Sequence, residues 1–323
     1  MNKEKKHLVS IILPAHNAEK YLYRSVTSLD RQTYDQIQIV IVVNASTDNT
    51  YEIAHEMAQN NNKITLINTK QAGVSNARNL GLSIAKGDII GFCDADDYYS
   101  EDIIEKIVAS LSGNKYGVAI CGFEDVTETK ECVGKRLLGQ NEEWNSERSV
   151  INVLTQNKIM GSVWNKFFKR EFIQDVKFNT KLTMCEDTHF VVSIFKKHPQ
   201  VKTIYINQVG YNYVNNPNSV TNDLKKVFDG NELRYIQSLE QIESDFHLSR
   251  KEKRNLNAAK AGLAYGALQM LKKNRDIQTE VQEKRKKKMK QIFCCHYIDY
   301  WMCGNISIKQ KIRTSITSLK LLL

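Results

Sequence analysis

The sequence predicts an α/β chain: a mostly parallel sheet with helices on both faces, followed by a helical, basic C-terminal region. Three observations lead there. Over the first 120 residues, short apolar runs alternate with stripes that repeat at three and four residues, the strand–helix–strand rhythm of a covered parallel sheet. The chain is 41% hydrophobic and 25% charged, enough apolar content to bury a normal core. The charge is also uneven. Residues 224–323 carry 21 Lys and Arg against 10 Asp and Glu, whereas the first 223 carry 25 against 26. The excess positive charge therefore sits in the last hundred residues and sets them apart in role. We place the boundary between the two regions at residues 220 and 221.

The elements follow in order. Leu8–Leu13 is an apolar run closed by Pro14, as suits a buried strand. Ala18, Tyr21, Leu22, Ser25, Val26 and Leu29 form a helix face. Ile37–Val43 is a second strand, and Ser46-Thr47-Asp48 reads as the start of a helix. Ile64–Ile67 is a third strand, Gly73–Ala85 a helix and Ile89–Cys93 a fourth strand. Ile103, Ile104, Ile107, Val108 and Leu111 make another helix stripe, and Tyr116–Cys121 another strand. In such sheets ligands bind beyond the carboxyl ends of the strands. Pro14–Glu19, Asn44–Asp48 and Asp94–Asp97 all fall there, and that convergence marks a site.

Other classes are disfavoured. No apolar run reaches the ~18 residues of a spanning helix. Leu8–Leu13 is too short for a signal peptide and precedes no small-residue cleavage site. Seven cysteines without a C-x-x-C spacing suggest reduced thiols in a cytosolic protein.

GFCDADDYYS (91–100) is the densest chemical signal. Asp94, Asp96 and Asp97 crowd four positions behind an apolar run. Two carboxylates separated by one residue at a strand end can share Mg²⁺ or Mn²⁺, and such a cation fills its shell with substrate phosphates. An acidic turn capping the next helix is the other reading of these residues taken alone.

The wider pattern is more specific. VSIILPAHNAEKYL (9–22), IVVNASTDNT (41–50), QAGVSNARNLGL (71–82) and KGDIIGFCDADD (86–97) occur in that order, followed by VWNKFFKREFI (163–173) and CEDTHF (185–190). Together they resemble the family 2 glycosyltransferases, inverting sugar-nucleotide enzymes of GT-A fold, over roughly residues 8–215 and in the style of bacterial polysaccharide-assembly members. The resemblance implies residue roles. Pro14, Ala15, Asn17 and Glu19 match the loop that cradles the nucleoside. Asp94, Ala95 and Asp96 match the motif at the ribose and metal, with Asp94 and Asp96 as its Mn²⁺ or Mg²⁺ carboxylates. Arg78 matches the arginine that steadies these acids or the diphosphate. Asp187, with Glu186 beside it, matches the general base. One position departs: Asn44 stands where the family carries the Asp that accepts from uracil N3. An amide can accept there and also donate, so a UDP-sugar remains the favoured donor, while thymine and cytosine stay open.

The tail carries Lys284-Arg285-Lys286-Lys287-Lys288-Met289-Lys290 and the aromatic stretch 292–303. Ile308, Ile312, Ile316, Leu319 and Leu323 then lie on one helical stripe. A basic amphipathic helix on an anionic membrane surface gives this pattern, as does a helix packed on its own domain or on a second subunit. A nucleic-acid role is disfavoured, since no recognised motif accompanies the charge. The expectation is a cytoplasmic enzyme, peripheral at the inner face of the membrane, with a 1–220 catalytic domain and a 221–323 region for acceptor or membrane. It would act on a glycan or lipid-linked oligosaccharide in surface-polysaccharide synthesis. The alternatives are a nucleotidyltransferase on a similar sheet, which would want a Gly-rich loop that PAHNAEKYL lacks, and a non-catalytic sugar-nucleotide-binding scaffold, which Asn44 would favour.

Overall fold

The computed structural model describes residues 6–155, 159–215, 227–230, 232–273, 279–304 and 306–322, with the backbone alone at 273, 279 and 316–322. By internal contacts the chain divides into two compact units. One comprises Met1–Ser146, Ser162–Lys181 and Ser193–Asn216; the other comprises Glu147–Gly161, Leu182–Val192 and Pro217–Leu323. The boundary expected at 220 lies outside the described residues.

The first unit is built on a ten-stranded sheet. Its strands are β1 (Val9–Ala15), β2 (Ile37–Asn44), β3 (Ile64–Thr69), β4 (Ile89–Phe92), β5 (Tyr98–Tyr99), β6 (Val118–Val126), β7 (Cys132–Arg136), β8 (Glu142–Trp144), β9 (Lys166–Lys169) and β10 (Thr203–Val214). They run in the order β3-β2-β1-β4-β9-β6-β10-β5, with β7 on β6 and β8 on β10. The β3-β2-β1-β4 wing is parallel throughout, as is the β6–β10 pair, while β9 runs antiparallel to both β4 and β6.

β1 and β2 are buried at every position, as a strand covered on both faces must be. Val9, Ile11 and Leu13 share a core with Leu22, Val26 and Leu29 of α1 (Leu22–Asp30), Ala54 of α2 (Thr50–Asn60) and Ile103, Ile107 and Leu111 of α4 (Ile103–Leu111). Ile12 points the other way, as strand alternation requires, and meets α3 (Val74–Ile84). A Cβ on Gly81 of α3 would stand 2.4 Å from Ile12 Cγ2, so the helix lies this close only because residue 81 has no side chain. β1 continues through Pro14 to Ala15, two residues beyond the expected end at Leu13, with Pro14 opposite Val42 and Ala15 opposite Val43 of β2.

The second unit contains α7 (Arg234–Asp245), α8 (Arg250–Lys273), α9 (Thr279–Met302), α10 (Ile308–Leu322) and a hairpin of β11 (Phe228–Asp229) and β12 (Glu232–Leu233), together with most of α5 (Ser146–Thr155) and the first turns of α6 (Glu186–Lys197). Its core includes Ile236, Ala261, Leu268, Met289, Phe293 and Tyr300. The basic, aromatic stretch is thus partly core. Met289, Phe293 and Tyr300 of α9 are buried, while Ile298, Trp301 and Met302 are exposed, as are Ile308 and Ile312 of α10. Part of the cationic run is also engaged within the unit. Lys288 pairs with Glu232 at 3.0 Å, and the Arg285 guanidinium lies 4.6 Å from the Phe228 ring centroid. The remainder of the expected stripe, the Ile316 and Leu319 side chains and Leu323, lies outside the described residues. Among the described residues no helix is long and apolar enough to cross a membrane.

Candidate active site

Because β2, β1 and β4 are sheet neighbours, their carboxyl ends deliver the expected donor residues to one edge of the first unit. The loops after β1 and β2 are interlocked. His16 Nδ1 donates to the Asn44 carbonyl at 2.8 Å, and Asn17 Oδ1 accepts from the Thr47 amide at 2.8 Å. Glu19 Oε2 accepts from the Asn49 amide and side chain, both at 3.1 Å. Asp48 accepts from the Glu19 and Thr50 amides and the Thr50 hydroxyl. Burial pushes the Asp48 carboxyl up, but those hydrogen bonds outweigh it and hold the group below its usual range. Asn17 and Ala45 both adopt left-handed backbone (φ 49° and 50°), conformations that the reciprocal bonding sustains. Pro14, Ala15 and Asn44 are buried at the root of these loops, and among the described residues the Asn44 side chain makes no hydrogen bond.

Asp94 to Asp97 form a tight turn closed by the Asp97 amide on the Asp94 carbonyl at 3.1 Å. α1 grips it from behind: Arg24 donates to the Asp96 carbonyl at 2.5 Å and Ser25 to the Asp94 carbonyl at 3.2 Å. With the backbone held this way, the Asp94 and Asp96 side chains stay partly exposed. Arg78, only 3% exposed on α3, donates to Asp94 Oδ1 at 3.1 Å and lies over the Phe178 ring. A carboxylate pair on one turn supplies hard oxygen donors but too few to close a coordination shell. Among the described residues no group of three or more metal-ligating side chains exists. That donor set suits a divalent cation which takes its remaining oxygens from a diphosphate.

The third acid is different. Asp97 is buried and accepts from the Tyr211 hydroxyl at 2.9 Å and the Val214 amide at 2.7 Å. Burial, then the Asp96 and Asp94 charges, raise its carboxyl well above the usual range, against the pull of those two bonds. Charge crowding in the acidic run is thereby relieved by turning one acid inward as a structural anchor. The Trp-Asn-Lys block supports the same anchor. Trp164 stacks on Tyr211 at 4.4 Å, and Tyr99 donates to the Trp164 carbonyl at 2.6 Å. Arg24, Ser25 and Tyr211 are contributors that the sequence does not reveal, nor does it reveal that Asp97, alone of the three acids, turns inward. Tyr211 lies 114 residues from Asp97, with no local signal linking them.

Glu186 and Asp187 occupy the first turn of α6, where the helix dipole favours negative charge. Cys185 ahead of them takes left-handed backbone (φ 53°). They fall in the second unit. There a Cβ on Gly161 would come 1.9 Å from the Thr188 hydroxyl, so Gly161 backs directly onto the residue after Asp187.

Residues 10–177, just over half the chain, match the glycosyl transferase family 2 model. The chain belongs to glycosyl transferase family 2. It is 29% identical over 218 residues to the uncharacterized glycosyltransferase EpsJ of Bacillus subtilis, a match covering 66% of this chain and 63% of EpsJ, somewhat under two thirds of that relative's length. Among solved structures, the fold is similar to S. aureus TarS 1–349 in complex with UDP-GlcNAc, with TM-score 0.66, 17% identity, and 88% of this chain and 81% of TarS covered. It is also similar to the mannosyltransferase PcManGT from Pyrobaculum calidifontis in complex with GDP-Man and Mn²⁺, with TM-score 0.51, 16% identity, and 99% and 81% covered. The GT-A expectation for the fold is met.

Proposed function

We propose that this chain transfers one sugar from a nucleoside-diphosphate donor, favouring a UDP-sugar, to a hydroxyl of a glycan or lipid-linked oligosaccharide, with inversion, in assembly of a bacterial surface polysaccharide. The observation that carries the reading is the turn after β4, with two partly exposed carboxylates, their backbone clamped by α1 and a buried arginine bonded to Asp94. Pro14, Ala15, Asn17, Glu19 and Asn44 would hold the nucleoside. The Asn44 amide accepts from uracil N3–H through its oxygen, and its NH₂ group leaves cytosine admissible. Asp94 and Asp96 would hold Mn²⁺ or Mg²⁺, which when bound neutralises the departing diphosphate as a Lewis acid. Arg78 fixes the Asp94 rotamer and adds positive charge where negative charge develops.

Asp187 would take the acceptor hydroxyl's proton, a role worth ~10²–10⁴-fold in rate, with Glu186 beside it. A single base suffices for inversion, whereas a retaining double displacement needs a second, closely placed carboxylate nucleophile. TarS, bound to UDP-GlcNAc, supports a nucleotide-sugar donor, and PcManGT, bound to GDP-Man and Mn²⁺, supports the metal. Peripheral membrane attachment is supported by the exposed apolar side chains of Ile298, Trp301, Met302, Ile308 and Ile312. The test is a panel of nucleotide-sugars with Mn²⁺, following release of nucleoside diphosphate. Metal-dependent release from one donor class is expected. Metal-dependent binding of a nucleotide-sugar with no release, with or without glycan acceptors, would favour a binding scaffold.

A further inference from the structure

Between α1 and Tyr98–Glu101, the residues that follow the acidic turn, lies a cavity of about 550 Å³ that the donor chemistry does not use. Its charge is lopsided. Arg24, Arg31 and Lys130 line it, against one acid, Glu101. Among the described residues none of the three cations is ion-paired with a carboxylate. Two of them are held by a ring instead: the Arg24 guanidinium lies 5.6 Å and the Lys130 ammonium 5.7 Å from the Tyr98 ring centroid. An aromatic quadrupole orients a cation but cancels little of its charge, so the cavity keeps an electropositive wall.

Lys130 is placed there by design of its turn. It sits in left-handed backbone (φ 66°) between β6 and β7, and its amide donates to the Thr127 carbonyl at 2.9 Å. Tyr23 stands at the cavity rim with 68% of its surface exposed, an open aromatic face of the kind on which sugar rings stack. The volume falls in the range of small-ligand sites, ~300–1,000 Å³. Arg24 links the two sites physically, since it also donates to the Asp96 carbonyl at 2.5 Å.

We propose that this cavity is a subsite for an anionic saccharide, a sugar bearing a phosphate or carboxylate group, such as a unit of the acceptor glycan. The acceptor role rests on the transferase reading; the binding chemistry rests on the cavity alone. Tyr23 takes the sugar ring, and Arg31 and Lys130 take the anion.

The test is a saturation-transfer NMR titration of the full chain, first saturated with UDP and Mg²⁺ so that the donor site is filled. The probes are glucose 6-phosphate, glucuronate and glucose. We expect the anionic sugars to bind at least tenfold tighter than glucose. Arg31→Ala and Lys130→Ala, both on exposed side chains, should each weaken them about tenfold, with UDP affinity and melting temperature unchanged. Arg31→Lys should keep most of the affinity. Binding of glucose 6-phosphate without glucuronate assigns a phosphorylated acceptor, and the reverse assigns a uronate. Equal binding of glucose, displacement of UDP by the sugar phosphate, no binding of either anionic sugar, or no loss in the two alanine variants would each overturn the subsite. If UDP itself fails to bind while the anionic sugars still do, the donor reading falls and the subsite stands.

Discussion

The Tyr211 hydroxyl joins two acids of one turn: it donates to Asp97 at 2.9 Å and accepts from the Asp94 backbone amide at 3.1 Å. Asp97 closes the turn that presents Asp94 and Asp96, so one buried phenol ties the anchor to the backbone that carries both carboxylates. Tyr211→Phe removes a single oxygen and leaves two buried polar groups short of a partner. It should cost about 1–3 kcal/mol of unfolding free energy. It should also weaken metal-dependent nucleotide binding, because the turn loses a fixed point. Chemical denaturation at neutral pH checks the first expectation, and an unchanged midpoint would show that the hydroxyl contributes little.

Asp187→Asn tests the base. The amide keeps the shape and cannot take a proton. Turnover should fall by roughly 10²–10⁴-fold with donor affinity nearly unchanged. Normal turnover with poor donor binding would assign Asp187 to the donor instead.

The second unit should be acid-sensitive through His296. Burial first, and the Lys260 ammonium second, hold its imidazole below the ordinary value of 6.5, against the opposing pull of Asp299, Glu243 and Glu240. The folded state therefore binds this proton less readily than the unfolded chain. The contribution is fully present above pH 6.5 and is lost as pH falls toward the lower folded value. His296→Gln should flatten unfolding free energy between pH 6.5 and 5. A variant as acid-sensitive as the parent would assign that slope to other groups.

Membrane attachment calls for point substitutions rather than truncation. Cutting the chain before α9 would remove Met289, Phe293 and Tyr300 from the core of the second unit. Replacing Ile298, Ile308 and Ile312 with Gln touches exposed side chains alone. Sedimentation with anionic vesicles should show the triple variant losing most binding. The parent's binding should fall with salt as the Debye length shrinks from ~10 Å at 0.1 M to ~3 Å at 1 M. Equal sedimentation of variant and parent would place the membrane contact elsewhere or nowhere.

Much of the first unit was legible because its signals are local. Strand runs such as Ile37–Val43 and helix stripes such as Ile103–Leu111 appear within a residue or two of their predicted ends, since burial on both faces leaves a continuous apolar run and burial on one leaves a 3.6-residue period. The convergence of Pro14–Glu19, Asn44 and Asp94–Asp96 on one edge of the sheet was legible because strand ends bring these residues together. Asp97 was not, because its partner Tyr211 is distant in sequence and an inward acid looks like an outward one in the chain. The tail misled in part for the same reason. Lysine spacing shows charge, but whether Phe293 faces lipid or core depends on α8, which the sequence of α9 alone does not reveal.

Asp94 and Asp96 are proposed to form a donor site that works through a divalent cation. Calorimetric titration of UDP into the full chain, with and without Mn²⁺, tests it most directly when repeated on Asp96→Ala. The parent should bind UDP tightly only in Mn²⁺, and the variant should stay folded by circular dichroism yet lose the Mn²⁺-dependent part. Equal UDP affinity of parent and variant in Mn²⁺ would contradict the account.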